Sequence, residues 1–148
     1  MKDWRQRVVE EAYSWVGTKY HHAADVKGHG VDCAMLLVRV YCDLDLIPRL
    51  DPRPYPAQWY LHRDEERYIG WVSEYCKLIE IGEPGDIALY RFGRTASHGA
   101  IIVNDRLMIH AYSKEGKVAV AERATFADRL DSIWSLEWPH SSEAIPKL

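Results

Sequence analysis

"GVDCAMLLVRVY", residues 30–41, sets an acidic residue and a cysteine directly ahead of an apolar run in which only Arg39 is charged. Apolar groups at Ala34, Met35, Leu36, Leu37, Val38, Val40 and Tyr41 leave no polar face, the pattern of a helix buried at the centre of a domain. The run predicts a helix from Cys33 to about Leu44, capped by Asp32. Cys33 then stands in the first turn, where unpaired backbone N–H groups and the helix dipole favour a thiolate.

Toward the N-terminus, Trp4, Val8, Ala12, Trp15 and Val16 recur at helical spacing between charges, which predicts an amphipathic helix over 4–16 ended by Gly17. The stretch "GTKYHHAADVKGHGVD", 17–32, reads as a loop rich in His and Gly. Beyond the central helix, "IPRLDPRPYPAQ", 47–58, has four prolines in nine residues and predicts an extended connection. Tyr68, Trp71, Val72 and Tyr75 then mark a third helix. From Ile79 the pattern changes to short runs of β-formers parted by turn residues: "IALYRF", "HGAIIV", "RLMIHAY", "KVAVAE" and "SIWSLEW". Helices first and an antiparallel sheet second predict an α+β domain spanning residues 1–148, with "SSEAIPKL" as a frayed end.

Nineteen Lys and Arg against 22 Asp and Glu, interspersed along 148 residues, provide no basic stripe for nucleic acid. No stretch has the length of a membrane span, and the N-terminus lacks the apolar core of a signal peptide, so the expectation is a protein made in the cytoplasm without a cleaved leader. Cys33, Cys42 and Cys76 are odd in number and form no C-x-x-C pair, against a disulfide framework or a zinc knuckle. Cys42 and Cys76 read as core thiols.

A nucleophilic thiol needs a base, and "SHGAIIVNDRLMIH", 97–110, offers His98 and His110 on either side of a hairpin turn. A two-residue loop at Asn104 and Asp105 would send the two side chains to opposite faces. A three-residue loop centred on Asn104 sets them directly opposite each other on one face, and this odd length is the expectation. One imidazole then serves as base toward Cys33 while the other holds it in tautomer and orientation. The same three residues taken as zinc ligands are the competing reading, and no ligand-spacing motif supports it. Of the other histidines, His21, His22 and His29 share the loop before Cys33, whereas His62 and His140 read as surface residues.

The stretches "AYSWVGTKY", "GVDC", "EPGDIALYRF" and "SHGAIIVNDRLMIHAY", together spanning roughly residues 12–112, resemble the NlpC-type, papain-like cell-wall cysteine peptidases. The detailed pattern "WVGTKYHHAADVKGHGVDC" and the ending "SIWSLEWP" are most similar to the branch encoded among tail genes of phages and phage-derived gene-transfer particles. The resemblance implies an endopeptidase that cuts peptidoglycan stem peptides, at the bond from γ-D-glutamate to diaminopimelate, during DNA delivery, with phage-tail hub or tail-tip proteins as partners. It implies Cys33 as nucleophile, His98 as general base and His110 as orienting residue, with no metal or other cofactor. It also implies an oxyanion donor role for the backbone N–H of Cys33 and the loop of Tyr20, which stands one residue further from the cysteine than in many relatives. Asp32 and His22 fall to helix capping or substrate binding. Many relatives carry Ser-Gly after the cysteine, the serine contributing to substrate binding, where this chain has Ala34 and Met35. Two alternatives stand beside this: a structural tail-tip component that kept the fold, and an amidase or acyltransferase on another substrate, with His21, His22, Tyr55 and Trp59 lining a cleft.

Overall fold

The structure is a computed structural model that describes residues 3–55, 67–93 and 95–137. Trp59, His62, His140 and the "SSEAIPKL" end lie outside the described residues. Helix α1 (Trp4–Ser14) begins where the Asp3 carboxylate accepts from the Gln6 N–H at 2.9 Å, and closes at Trp15 ahead of Gly17, whose φ of +94° suits a residue without a Cβ. Helix α2 (Cys33–Asp43) starts and stops within a residue of the predicted span. Nine of its eleven residues are buried; the other two, Arg39 and Asp43, pair with each other at 2.8 Å on its one polar edge. Helix α3 (Arg67–Tyr75) falls in the predicted third segment.

Two very short strands, β1 (Asp25–Val26) and β2 (Gly30–Val31), form a hairpin inside the stretch read as loop. Six further strands build one antiparallel sheet: β3 (Cys76–Ile79), β4 (Ile87–Phe92), β5 (Thr95–Ile102), β6 (Leu107–Tyr112), β7 (Lys117–Glu122) and β8 (Leu130–Leu136), in the order β3-β8-β4-β5-β6-β7. Strand β3 and a 3-10 helix over Arg123–Arg129 are absent from the sequence expectation. Both owe their shape to distant partners: β3 exists because it lies against β8, Cys76 opposite Leu136 and Ile79 opposite Ile133.

Side-chain alternation divides the sheet into two faces. Ile87, Leu89, Ile101, Ile109 and Ala111 pack with α2 and α1 in the larger core. Ala88, Tyr90, Ala100, Ile102, Met108 and Ile133 form a smaller cluster on the other face, against Phe126 of the 3-10 helix. Residues 17–20 extend the sheet past β7: the Gly17 N–H donates to the Val118 carbonyl at 2.9 Å, the Val118 N–H to the Thr18 carbonyl at 2.8 Å, and the Tyr20 N–H to the Gly116 carbonyl at 2.9 Å. Tyr20 is also bridged to Val31, so the loop ahead of Cys33 is tied both to the sheet and to β2.

Candidate active site

Asp32 fixes the start of α2 by three hydrogen bonds. Its Oδ1 accepts from the Met35 N–H at 2.9 Å, and its Oδ2 from the Ala23 N–H at 2.7 Å and the Tyr55 hydroxyl at 2.6 Å. The carboxylate is buried, so each of these donors would be left unpaired without it. Asp32 therefore caps the helix and at the same time binds the His-rich loop and the proline-rich connection to it. Burial first, then the adjacent Asp32 carboxylate, push the Tyr55 hydroxyl far above its ordinary value, with smaller contributions from Cys33 and Tyr20. Tyr55 is thus a permanent O–H donor in a group that includes Asp32, Cys33 and Tyr20.

His22 borders this group from solvent. Its Nε2 donates to the Tyr55 carbonyl at 3.0 Å, and its Nδ1 lies 3.7 Å from Asp32 Oδ2. The ring meets Tyr55 edge-on, at 5.3 Å between centroids. His21 and His29 are exposed and join neither Asp32 nor Cys33 in any described contact.

Cys33 is 6 % exposed at the first position of α2, and its thiol donates to the Ser97 carbonyl at 3.7 Å. Ser97 precedes His98 and sits at an irregularity in β5: Tyr90 pairs with His98 and Arg91 with Ala96, so Ser97 bulges out of the ladder. A bulge re-aims the side chains on either side of it: Ala96 joins the α2 core, and the His98 ring stands 6.2 Å from that of Tyr90.

His98 and His110 meet as a pair, His98 Nε2 to His110 Nδ1 at 2.8 Å. The loop has three residues, as expected, but its centre is Asp105, not Asn104. The Val103 N–H donates to the Leu107 carbonyl at 2.9 Å, and the ladder reads Ile101 opposite Ile109 and Ile102 opposite Met108. Carried on, this register would set His98 across from Tyr112 and His110 across from Ala100, and the His98 ring does lie near both, 5.6 Å from Tyr112 and 5.0 Å from His110. The Asn104 side chain causes the offset: its oxygen accepts from the N–H groups of Arg106 and Leu107, at 2.8 and 2.7 Å, making Asn104 the first loop residue. A shift by one position in the loop centre moves the register by two and preserves the shared face. Only those two pairs are registered between β5 and β6, so the ladder ends before it reaches the histidines.

Tyr90, Phe92, Tyr112 and Phe126 surround the pair. None of these aromatic neighbours was anticipated from the sequence as part of the site. Burial, and then the neighbouring His110, hold His98 well below its ordinary value, and burial holds His110 down to about 4. Both rings are therefore neutral at pH 7. Because His98 Nε2 is taken up by His110, the nitrogen left for a thiol is His98 Nδ1.

The depressed values have a consequence for stability. Between pH 6.5 and 4 the unfolded chain protonates these imidazoles and the folded chain resists, so stability is complete above about pH 6.5 and falls as the pH drops through the window. For His110 alone the loss is about 3 kcal/mol at 1.4 kcal/mol per pH unit. Urea unfolding at pH 7.0, 5.5 and 4.5 is expected to show this decline, and His110→Gln to flatten it; equal slopes in the two proteins would refute the assignment.

Among the described residues no group of three or more His, Cys, Asp or Glu side chains is arranged to hold a metal ion. The zinc reading of Cys33, His98 and His110 therefore has no structural support.

No protein-family model and no curated protein matches the sequence. The structure matches solved ones throughout. The NlpC/p60 domain of the peptidoglycan hydrolase SagA superposes with a TM-score of 0.61 at 20% identity, over 89% of this chain and 98% of that one. NlpC2 from Trichomonas vaginalis gives 0.67 at 20% identity, over 91% of this chain and 50% of that one. The peptidoglycan hydrolase RipB of Mycobacterium tuberculosis gives 0.58 at 18% identity, over 90% and 65%. The chain thus spans nearly all of the SagA domain and about half of NlpC2. Its fold is the α+β, papain-like NlpC/p60 fold, with Cys33 at the start of the central helix.

Proposed function

We propose that the protein is a cysteine endopeptidase acting on peptidoglycan stem peptides. The observation that carries this reading is the meeting of α2 and β5: the Cys33 thiol rests on the carbonyl of Ser97, next to a histidine whose far nitrogen is held by a second histidine. The fold shared with the NlpC/p60 domain of the peptidoglycan hydrolase SagA and with the peptidoglycan hydrolase RipB supports the substrate class.

In the proposed reaction the resting pair is a thiol and a neutral imidazole. His98 Nδ1 takes the Cys33 proton as sulfur attacks the amide carbonyl, and His110 Nδ1 accepts the His98 Nε2–H, which fixes the required tautomer. The imidazolium then protonates the leaving amine, and water, deprotonated by His98, releases the acid and regenerates the thiol. Tyr20 and His22 border the substrate side, with the loop of Tyr20 and the Cys33 backbone as the oxyanion donors. No metal takes part. Asp32, with its oxygens bonded within the chain, acts through the helix and loops it positions.

The bond assigned is that between γ-D-glutamate and diaminopimelate, and the setting assigned is the tail of a phage or phage-derived particle, made in the cytoplasm and built in beside hub or tail-tip proteins. The bond rests on the resemblance of roughly residues 12–112 to the NlpC-type peptidases, and the setting on the pattern of residues 15–33 with the ending "SIWSLEWP". Mass spectrometry of diaminopimelate muropeptides incubated with the protein and with Cys33→Ala tests the chemistry. Cleavage at that bond, lost in the variant, is expected; cleavage that persists in Cys33→Ala would remove the nucleophile assignment. Sedimentation of the protein with purified particles tests the setting, and its absence from them would overturn it.

A further inference from the structure

His110 is 1 % exposed, within β6. Two half-buried rings cover it there. Tyr112 stacks on the imidazole, with centroids 5.0 Å apart and planes 19° from parallel. Phe126 closes edge-on, at 5.3 Å and 74°. Phe126 also reaches Tyr112 at 5.4 Å and Tyr90 at 6.1 Å, so its ring closes an aromatic cage built otherwise from β4 and β6. It comes from the 3-10 helix between β7 and β8, a segment with no fully buried residue and no other aromatic one.

The geometry points to Phe126 and Tyr112 as positioning residues that clamp His110 with its Nδ1 toward His98 and keep water from that hydrogen bond. The inference rests on the reading of Cys33, His98 and His110 as a catalytic triad. A ring stacked on the imidazole and a second ring edge-on beside it, each in contact with the other, restrict rotation of the imidazole, and a ring held this way presents one nitrogen to its partner. Exclusion of water matters as much: a solvated His110 takes a proton at Nδ1 near neutral pH, and a protonated Nδ1 cannot accept from His98.

The titratable groups packed about the pair are few. Burial raises the Tyr90 phenol of β4 above its ordinary value, and Tyr112 of β6 is the other phenol in contact. Lys117 of β7 is opposite Tyr112 and exposed. On the 3-10 helix, Arg129 lies over Phe92 at 5.0 Å, Arg123 donates to the carbonyls of Asn104 and Asp105, and Asp128 is exposed. Burial alone accounts for the depression at His110, so removing the covering ring is the direct way to alter it.

The test follows the imidazole Cε1–H resonances of the full-length protein by NMR across pH 4–8 in wild type, Phe126→Leu and Phe126→Ala, with kcat and KM for muropeptide cleavage measured alongside. In Phe126→Ala the His110 midpoint is expected to rise by at least about one pH unit, a tenfold change in proton affinity. Phe126→Leu, which keeps apolar cover but loses the ring, is expected to fall between. The acid limb of kcat should move upward by a matching amount, with KM unchanged. A His110 midpoint that stays where it is in a folded Phe126→Ala protein overturns the clamp. A midpoint that moves in a protein whose wild type cleaves no muropeptide upholds the clamp and removes the peptidase reading instead.

Discussion

His98→Gln is expected to lower muropeptide cleavage on the order of 10³-fold while leaving the fold intact. The variant keeps a polar side chain of similar reach between Tyr90, Phe92 and His110, but it has no nitrogen able to take the proton of Cys33. The loss should fall on kcat, because the imidazole acts on the thiol and the leaving amine and holds no part of the substrate. Alkylation of Cys33 by iodoacetamide at pH 7 offers a second readout that needs no substrate. It too is expected to slow, since the neutral imidazole no longer assists thiol ionisation. The alkaline rates should converge, as the thiol ionises unaided there. Cleavage within threefold of wild type would exclude His98 as the base. A variant that also melts far below wild type would be replaced by His98→Asn before judgement.

Replacement of Asp32 by alanine is expected to cost about 3–5 kcal/mol of unfolding free energy. The side chain caps α2, worth about 1 kcal/mol, and its removal strands the half-buried Ala23 N–H and the buried Tyr55 hydroxyl, at about 1–2 kcal/mol each. Asp32→Asn is the milder companion. Its carbonyl can still accept from Met35, but its amide would confront the Ala23 N–H with another donor, so a loss of about 2 kcal/mol is expected. Urea denaturation of the three proteins at pH 7 measures both. A change below 1 kcal/mol in Asp32→Ala would mean that the carboxylate does not hold the two loops to the helix, and would return it to the substrate side. Loss of activity should accompany loss of stability here, whereas in His98→Gln the two should separate.

The central helix and most strands were legible because each carries its own period. Helix α2 declared itself by an apolar run behind an acidic cap, and β4, β5, β6 and β7 by short stretches of β-formers between turns. Strand β3 and the hairpin β1–β2 were not legible: two to four residues carry no period, and "CKLI" becomes a strand only because β8, far along the chain, lies alongside. The 3-10 helix was missed for the same reason, and Phe126 with it. No local signal marks a single phenylalanine among Arg, Ala, Thr and Asp as the cover of a histidine.

Parity alone determined that His98 and His110 share a face, since an odd loop preserves alternation wherever its centre falls. The exact pairing depended on the hydrogen bonds of the Asn104 side chain. The sequence by itself thus determined the longer elements, their order, the place of Cys33 at a helix start and the common face of the two imidazoles, because these follow from backbone geometry repeated between near neighbours. Only the tertiary structure decided that the Cys33 thiol rests on Ser97, 64 residues away, that Tyr55 bonds to Asp32 across 23 residues, and that an aromatic cage shuts His110 from water. Contacts between distant residues are made by packing, which imposes no repeat on the chain that could be read in advance.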